Sequence, residues 1–187
     1  GKTWQELPEQ SRPQLWNGEA SFAASGTGIR CYGKEKVVIA TGGSVSRLLV
    51  SNDKGKNWSV VKTPMLQGHS SRGIFSFDFL NDSIGIIVGG DYLIDSLKIN
   101  HVFYTMNSGI TWRSPSKTTG GYRECVEFIR ENTAITVGPK GVDISYDSGK
   151  SWSSVADQKS FHVIRKARKG NLVIGAGKRI DIVILNP

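Results

Sequence analysis

The sequence predicts an all-β fold, on three observations. Short runs rich in Val, Ile and Phe are separated by Gly, Asn, Asp and Ser turns, the pattern of strands and hairpins. A tryptophan-bearing box recurs along the chain, at Trp4, Trp58, Trp112 and Trp152, with spacings of 54, 54 and 40 residues. No segment sustains a 3.6-residue apolar period, so almost no helix is expected. Repeated four-stranded antiparallel meanders of this length are the blades of a β-propeller.

The elements follow in order. Residues 1–8 supply the last strand of a preceding blade, at 4–7. The first full blade spans 18–63, with strands at 22–32, 37–41, 47–51 and 58–62. The second spans 72–116, with strands at 76–80, 84–88, 101–105 and 112–115. The third spans 122–156, with strands at 125–129, 134–137, 141–146 and 152–155. A final blade, 161–187, holds three strands and ends at Leu185. The stretch from Phe79 to Gly89 aligns without a gap on that from Phe128 to Gly138, which fixes the repeat beyond the box itself.

The box has the form S-x-D-x-G-x-x-W. Ser51, Asp53, Gly55 and Trp58 fit it, and Ser145, Asp147, Gly149 and Trp152 repeat it. Thr105, Asn107, Gly109 and Trp112 form a softened copy, and Gly1 to Trp4 is the tail of another. The aspartate bonds amides of its own turn, the glycine permits positive φ, and the tryptophan packs over the hairpin. Every residue has a structural task, so the box identifies a fold and says little about chemistry.

Composition narrows the function classes. There are 24 Lys+Arg against 16 Asp+Glu, a net charge of +8. The densest basic cluster, Arg165, Lys166, Arg168 and Lys169, reads as a solvated turn between strands. It lacks the interleaved aromatics of single-strand binders, and no nucleic acid is expected. The longest apolar run, at 84–88, is far short of a membrane span. Cys31 and Cys125 form no framework or metal pair and read as small buried residues. The histidines His69, His101 and His162 have no ligand spacing, and no metal site is expected. Thr41-Gly42-Gly43-Ser44 follows a strand but no helix follows it, so there is no dinucleotide fingerprint and no cofactor is expected.

The boxes and the Phe–turn–Val-Gly blade pattern resemble the Asp-box (BNR-repeat) propellers of the sialidase-like superfamily. The closest likeness is to the photosystem II stability/assembly factor group and its bacterial relatives, some labelled oxidoreductase. The resemblance covers essentially the whole chain. It implies that Asp53, Asn107 and Asp147 lie on the face away from the substrate funnel, and that the protein is periplasmic or extracellular. Sialidase chemistry does not carry over by motif. Arg12-Pro13 lacks the residue between Arg and Pro, and neither an arginine triad nor a Tyr–Glu pair can be placed. Roughly sixteen strands allow two readings, a self-sufficient four-bladed ring or the C-terminal part of a six- or seven-bladed ring. The start inside a box favours the second, with further blades upstream.

Candidate ligand residues lie where loops converge on the funnel: Glu19, Arg72, Asp91, Arg123 and His162. Arg72 and Arg123 recur at nearly the same place in consecutive blades. They suit a bidentate clamp on a carboxylate or phosphate, or a pairing with a neighbouring blade's carboxylate. The stretch from Gly90 to Asn100 is the longest insertion within a blade, on the same face. The expected function is a non-catalytic scaffold for a protein, peptide or anionic glycan. The alternative is a glycoside hydrolase drawing on Glu19, Glu124 or Asp91. An oxidoreductase rests on a label alone.

Overall fold

The computed structural model describes residues 2–156, 160–170, 172–177 and 180–184, and among these the one helical segment is a single 3-10 turn, Glu9–Ser11. The chain joins the sheets at β1 (Glu19–Ala20). Blade 1 follows as β2 (Ile29–Tyr32), β3 (Lys36–Ala40), β5 (Arg47–Ser51) and β6 (Ser59–Lys62), with the two-residue β4 (Gly42–Gly43) between β3 and β5. Blade 2 is β7 (His69–Phe79), β8 (Gly85–Asp91) and β9 (Val102–Thr105). Blade 3 is β10 (Cys125–Arg130), β11 (Thr133–Gly138), β12 (Gly141–Ser145) and β13 (Ser153–Ala156). Blade 4 is β14 (Phe161–Lys166), β15 (Leu172–Gly177) and β16 (Ile180–Ile184). All neighbouring strands pair antiparallel in sequence order within each blade, which makes the molecule an all-β propeller fold.

Three expected strands are altered. Residues 22–28 leave the sheet between β1 and β2, because Phe22 turns aside to stack on Phe75, with ring centroids 4.2 Å apart. The fourth strand of blade 2 shrinks to one bridge, Tyr104 with Arg113, because Pro115 has no N–H to extend the ladder. The segment 4–7 is not a strand. Leu7 instead packs against the position of Gly55. Leu185, the expected end of the last strand, lies outside the described residues. Of the two cysteines only Cys125 is buried. Cys31 is exposed, because it sits on the strand face turned away from blade 2, and both are free.

Alternation along the strands puts apolar side chains on both faces of the inner blades. Val38, Ala40 and Leu48 of blade 1 meet Ile74, Phe77, Ile87 and Phe103 of blade 2. Ile86, Val88 and Val102 on the opposite face of blade 2 meet Val126, Phe128, Ala134 and Trp152 of blade 3. Cys125, Ile129 and Val137 then meet Phe161, Ile164 and Val173 of blade 4. Each buried Leu, Ile or Phe contributes about 1.5–3 kcal/mol of transfer free energy.

The three described boxes share one bonding pattern. The first-position hydroxyl of Ser51, Thr105 or Ser145 accepts the N–H of Gly55, Gly109 or Gly149 at 2.8–2.9 Å. The third-position side chain accepts the N–H of Asn57, Thr111 or Ser151, each at 2.9 Å. The turn residues adopt positive φ in pairs: Lys54 and Gly55, Ser108 and Gly109, Ser148 and Gly149. A second bond ties each box to the first hairpin of its own blade: Lys54 N–H to Glu35 O, Ser108 N–H to Ser83 O, Ser148 N–H to Asn132 O. The box glycines also mortise the blades. A Cβ on Gly109 would lie 3.0 Å from Val61 of blade 1, and one on Gly149 would lie 2.8 Å from Ile86 of blade 2.

The inner strands carry a charge at one equivalent position per blade. Arg30, Asp78, Glu127 and Arg165 pair across their hairpins with Val38, Ile86, Ile135 and Ile174, each three residues before Thr41, Gly89, Gly138 or Gly177. Arg30 lies 3.3 Å from Asp78 and donates at 2.8 Å to Glu127, while Arg165 stands 3.6 Å from Glu127. Arg30 also donates to Val126 O of blade 3, and Asp78 accepts the N–H of Phe128. These bonds fill the space between the inner strands with a balanced ion network.

Candidate functional site

The end of the propeller opposite the box turns is formed by the loops that lead into the inner strands and those joining second to third strands. Here β1 and β4 reach over to blade 2, pairing Gly42 with Gly73 and Gly43 with His69. The blades are so close at this point that a Cβ on Gly42 would collide with the ring of Phe22 and the backbone of Gly73. Tyr122 N–H bonds Asp95 O, and Arg123 N–H bonds Gly89 O, which fastens blade 3 to the long loop of blade 2.

Glu19 lies beneath this face. Arg47 grips both its carboxylate oxygens at 2.8 Å, Thr41 donates at 2.7 Å and Trp16 N–H at 2.8 Å. Burial pushes Glu19 upward, but these donors outweigh it and hold the carboxyl below its usual range. The Arg47 guanidinium in turn stands 6.0 Å from the Trp16 ring. Arg123 is also buried. Its Nε donates to Asp143 at 2.8 Å, a second nitrogen lies 2.5 Å from the same oxygen, and Nη1 donates to Tyr122 O.

Arg72 and Asp91 are ladder partners on β7 and β8, with Arg72 Nε donating to Asp91 at 3.0 Å. Burial raises the Asp91 carboxyl, while Ser71, Arg72 and the Leu93 N–H together hold it below its usual value. Ser71 also contacts His69 Nδ1 at 2.8 Å. His162, on β14, meets Glu124 at 2.6 Å, and Glu124 also contacts the Tyr122 hydroxyl. A Tyr–Glu contact therefore exists that no motif had indicated. The hydroxyl is buried, and burial together with the Glu124 charge pushes its pKa above the usual tyrosine value, the wrong direction for a nucleophile. An aromatic group joins these pairs: Phe75 stacks on Phe22 and meets Tyr122 and Tyr92 edge-on, at 4.7 and 6.1 Å.

The electrostatics of the face follow from side-chain height. In three ion pairs the carboxylate is the deeper member: Asp91 is 3% exposed against 33% for Arg72, Asp95 30% against 56% for Lys140, and Glu124 10% against 46% for His162. Solvent therefore meets Arg72, Lys140 and the His162 imidazole before the carboxylates. Lys140 was absent from the sequence-based candidates because its role depends on the turn after β11 reaching Asp95 of the neighbouring blade. Among the described residues no three His, Cys, Asp or Glu side chains gather as metal ligands. A cavity of about 390 Å³ lies elsewhere, along the outer side of blade 1 between Trp16 and Trp58. Its guanidinium groups are engaged, Arg47 with Glu19 and Arg12 with Glu6.

Neither a family model nor a curated protein sequence matches the chain. Solved structures do. YCF48 bound to D1 peptide is 16% identical over 88% of this chain and 55% of that one, with a TM-score of 0.52. The GH74 enzyme of Niastella koreensis is 17% identical over 79% and 26%, with a TM-score of 0.56. The computationally designed Ika4 protein is 14% identical over 86% and 91%, with a TM-score of 0.54. At such identities the likeness is one of fold. The chain spans about half the length of the YCF48 chain and about a quarter of the GH74 enzyme. Among the described residues no helix is long and apolar enough to cross a membrane.

Proposed function

We propose that this chain is a non-catalytic binding module that takes a protein or peptide with anionic groups on the face carrying Arg72, Lys140 and His162. One observation carries the reading: Arg72 and Lys140 each stand further out than the carboxylate that they pair with, and the His162 imidazole stands outside Glu124. That arrangement attracts acidic groups and leaves the carboxylates poorly placed for acid–base or nucleophilic work, which needs a reachable group of matched pKa. Glu19 and Arg123 act in this reading as buried supports that hold the loops of the face. The structure of YCF48 with a D1 peptide is in keeping with it, since that protein has the same architecture.

The test is selection of a random-peptide display library on the full chain. Acidic peptides are expected, and Arg72→Ala with Lys140→Ala should weaken them at least tenfold while leaving the melting temperature within a few degrees. Undiminished binding by that double variant would place the site elsewhere. The hydrolytic alternative draws on Glu124 beside His162. Turnover of fluorogenic glycosides that disappears in Glu124→Gln would overturn the non-catalytic half of the proposal.

A further inference from the structure

The loop Gly90 to Asn100 carries a consecutive apolar tip, Tyr92-Leu93-Ile94, followed by Ile99, and all four side chains are exposed. Loops that lift apolar side chains into water are ordinarily loose or polar. This one is pinned along its length. Tyr92 N–H bonds Ser71 O, Leu93 N–H bonds the Asp91 carboxylate, and Ile94 N–H bonds Asp91 O. Leu97 N–H bonds Ile94 O, Asp95 O accepts Tyr122 N–H, and Asn100 O accepts Leu66 N–H. The backbone is therefore held in one shape from both flanking blades, with Leu93 at its crest.

We infer that this tip is the anchoring hot spot for an extended segment of a partner protein that combines bulky apolar side chains with acidic ones. The inference rests on the face being the binding face, and it adds what is bound there. Three features favour such an occupant. The tip is seated on the interior through Tyr92, edge-on to buried Phe75, so its apolar side chains stand on a fixed base. Its surround is cationic: Arg72 and Lys140 stand above their carboxylates, and Lys98 is exposed. A pre-ordered loop also loses little entropy on binding, which is how a small apolar patch gives useful affinity. Hot spots are typically aromatic or bulky groups ringed by polar contacts of small individual effect.

The experiment uses the full chain and the peptides recovered from the display library. Peptides pairing Leu, Ile, Phe or Trp with Asp or Glu are expected. Leu93→Asp and Ile94→Asp should each weaken them at least thirtyfold and Leu93→Ser about tenfold, while Leu93→Met stays within threefold. All four variants should melt with the wild type, since these side chains lie outside the core clusters. If Arg72→Ala with Lys140→Ala abolishes binding but Leu93→Asp and Ile94→Asp leave it intact, the anchoring role is overturned and the binding face stands. If neither set matters, both fall. Selected peptides lacking apolar residues would also overturn the inference. So would co-sedimentation with vesicles of 30% phosphatidylserine in phosphatidylcholine that Leu93→Asp abolishes, because the tip would then be a lipid-inserting loop.

Discussion

Arg72 and Arg123 look alike in the sequence and differ in the fold. Both precede an aligned phenylalanine, and both pair with a carboxylate of their own blade: Asp91 lies across the β7–β8 ladder and Asp143 on β12. Sequence spacing shows the recurrence but not the depth, because depth is set by loops from the adjacent blade. Arg123→Ala strands Asp143 in the interior and should cost about 3–5 kcal/mol in urea unfolding, whereas Asp143→Asn combined with it should recover part of the loss. Arg72→Ala should cost under about 1 kcal/mol, since Arg72 is partly solvated and Ser71 and the Leu93 N–H still serve Asp91.

His101 gives a pH signature at the same scale. It is buried against Thr118 and Thr119. Burial outweighs its contacts with Thr119 and Lys98 and lowers its pKa from 6.5 to about 4. The unfolded chain binds this proton first, so stability is full above pH 6.5 and falls as pH drops towards 4. The loss should reach roughly 3 kcal/mol. His101→Gln should flatten that slope in denaturation curves measured between pH 7 and 4.

The box hairpin was the element most legible in the sequence, because its bonding is local. Asp53 accepts the Asn57 and Lys56 N–H groups and the Asn57 and Ser51 side chains, and the Asn57 N–H leads the set that holds its carboxyl down at about 2. Less legible was the second task of the box glycines, which depends on which blade lies behind them. Gly170 has positive φ but open space around it, so Gly170→Ala should cost about 1 kcal/mol. Gly149 has positive φ and Ile86 behind it, so Gly149→Ala should cost about 2–4 kcal/mol in thermal unfolding. Strand ends were the least legible. Phe22 has every strand preference yet leaves the sheet to stack on Phe75.

Across the whole molecule the two ends of the blades divide the work. The box turns fasten each blade to itself and to its neighbour, and the opposite end presents cations and an apolar crest. Between them Arg30, Asp78, Glu127 and Arg165 link the inner strands. That quartet escaped sequence reasoning, since its members come from four strands and are equivalent only in ladder register. A charge in an otherwise apolar inner strand, three or four residues after the position facing a second-strand glycine, would have been the available sign. The apolar tip escaped it for another reason: the sequence marks Gly90 to Asn100 as an insertion, but only the bonds that pin its backbone show Tyr92, Leu93 and Ile94 held outward.

Hydrogen–deuterium exchange of the full chain, with and without a display-selected acidic peptide, tests the binding face most directly. Added protection is expected at 69–72, 90–100 and 121–124, with the box turns at 53–57, 107–111 and 147–151 unchanged. Protection centred on the box turns, or along the outer side of blade 1 near Trp16 and Trp58, would contradict it.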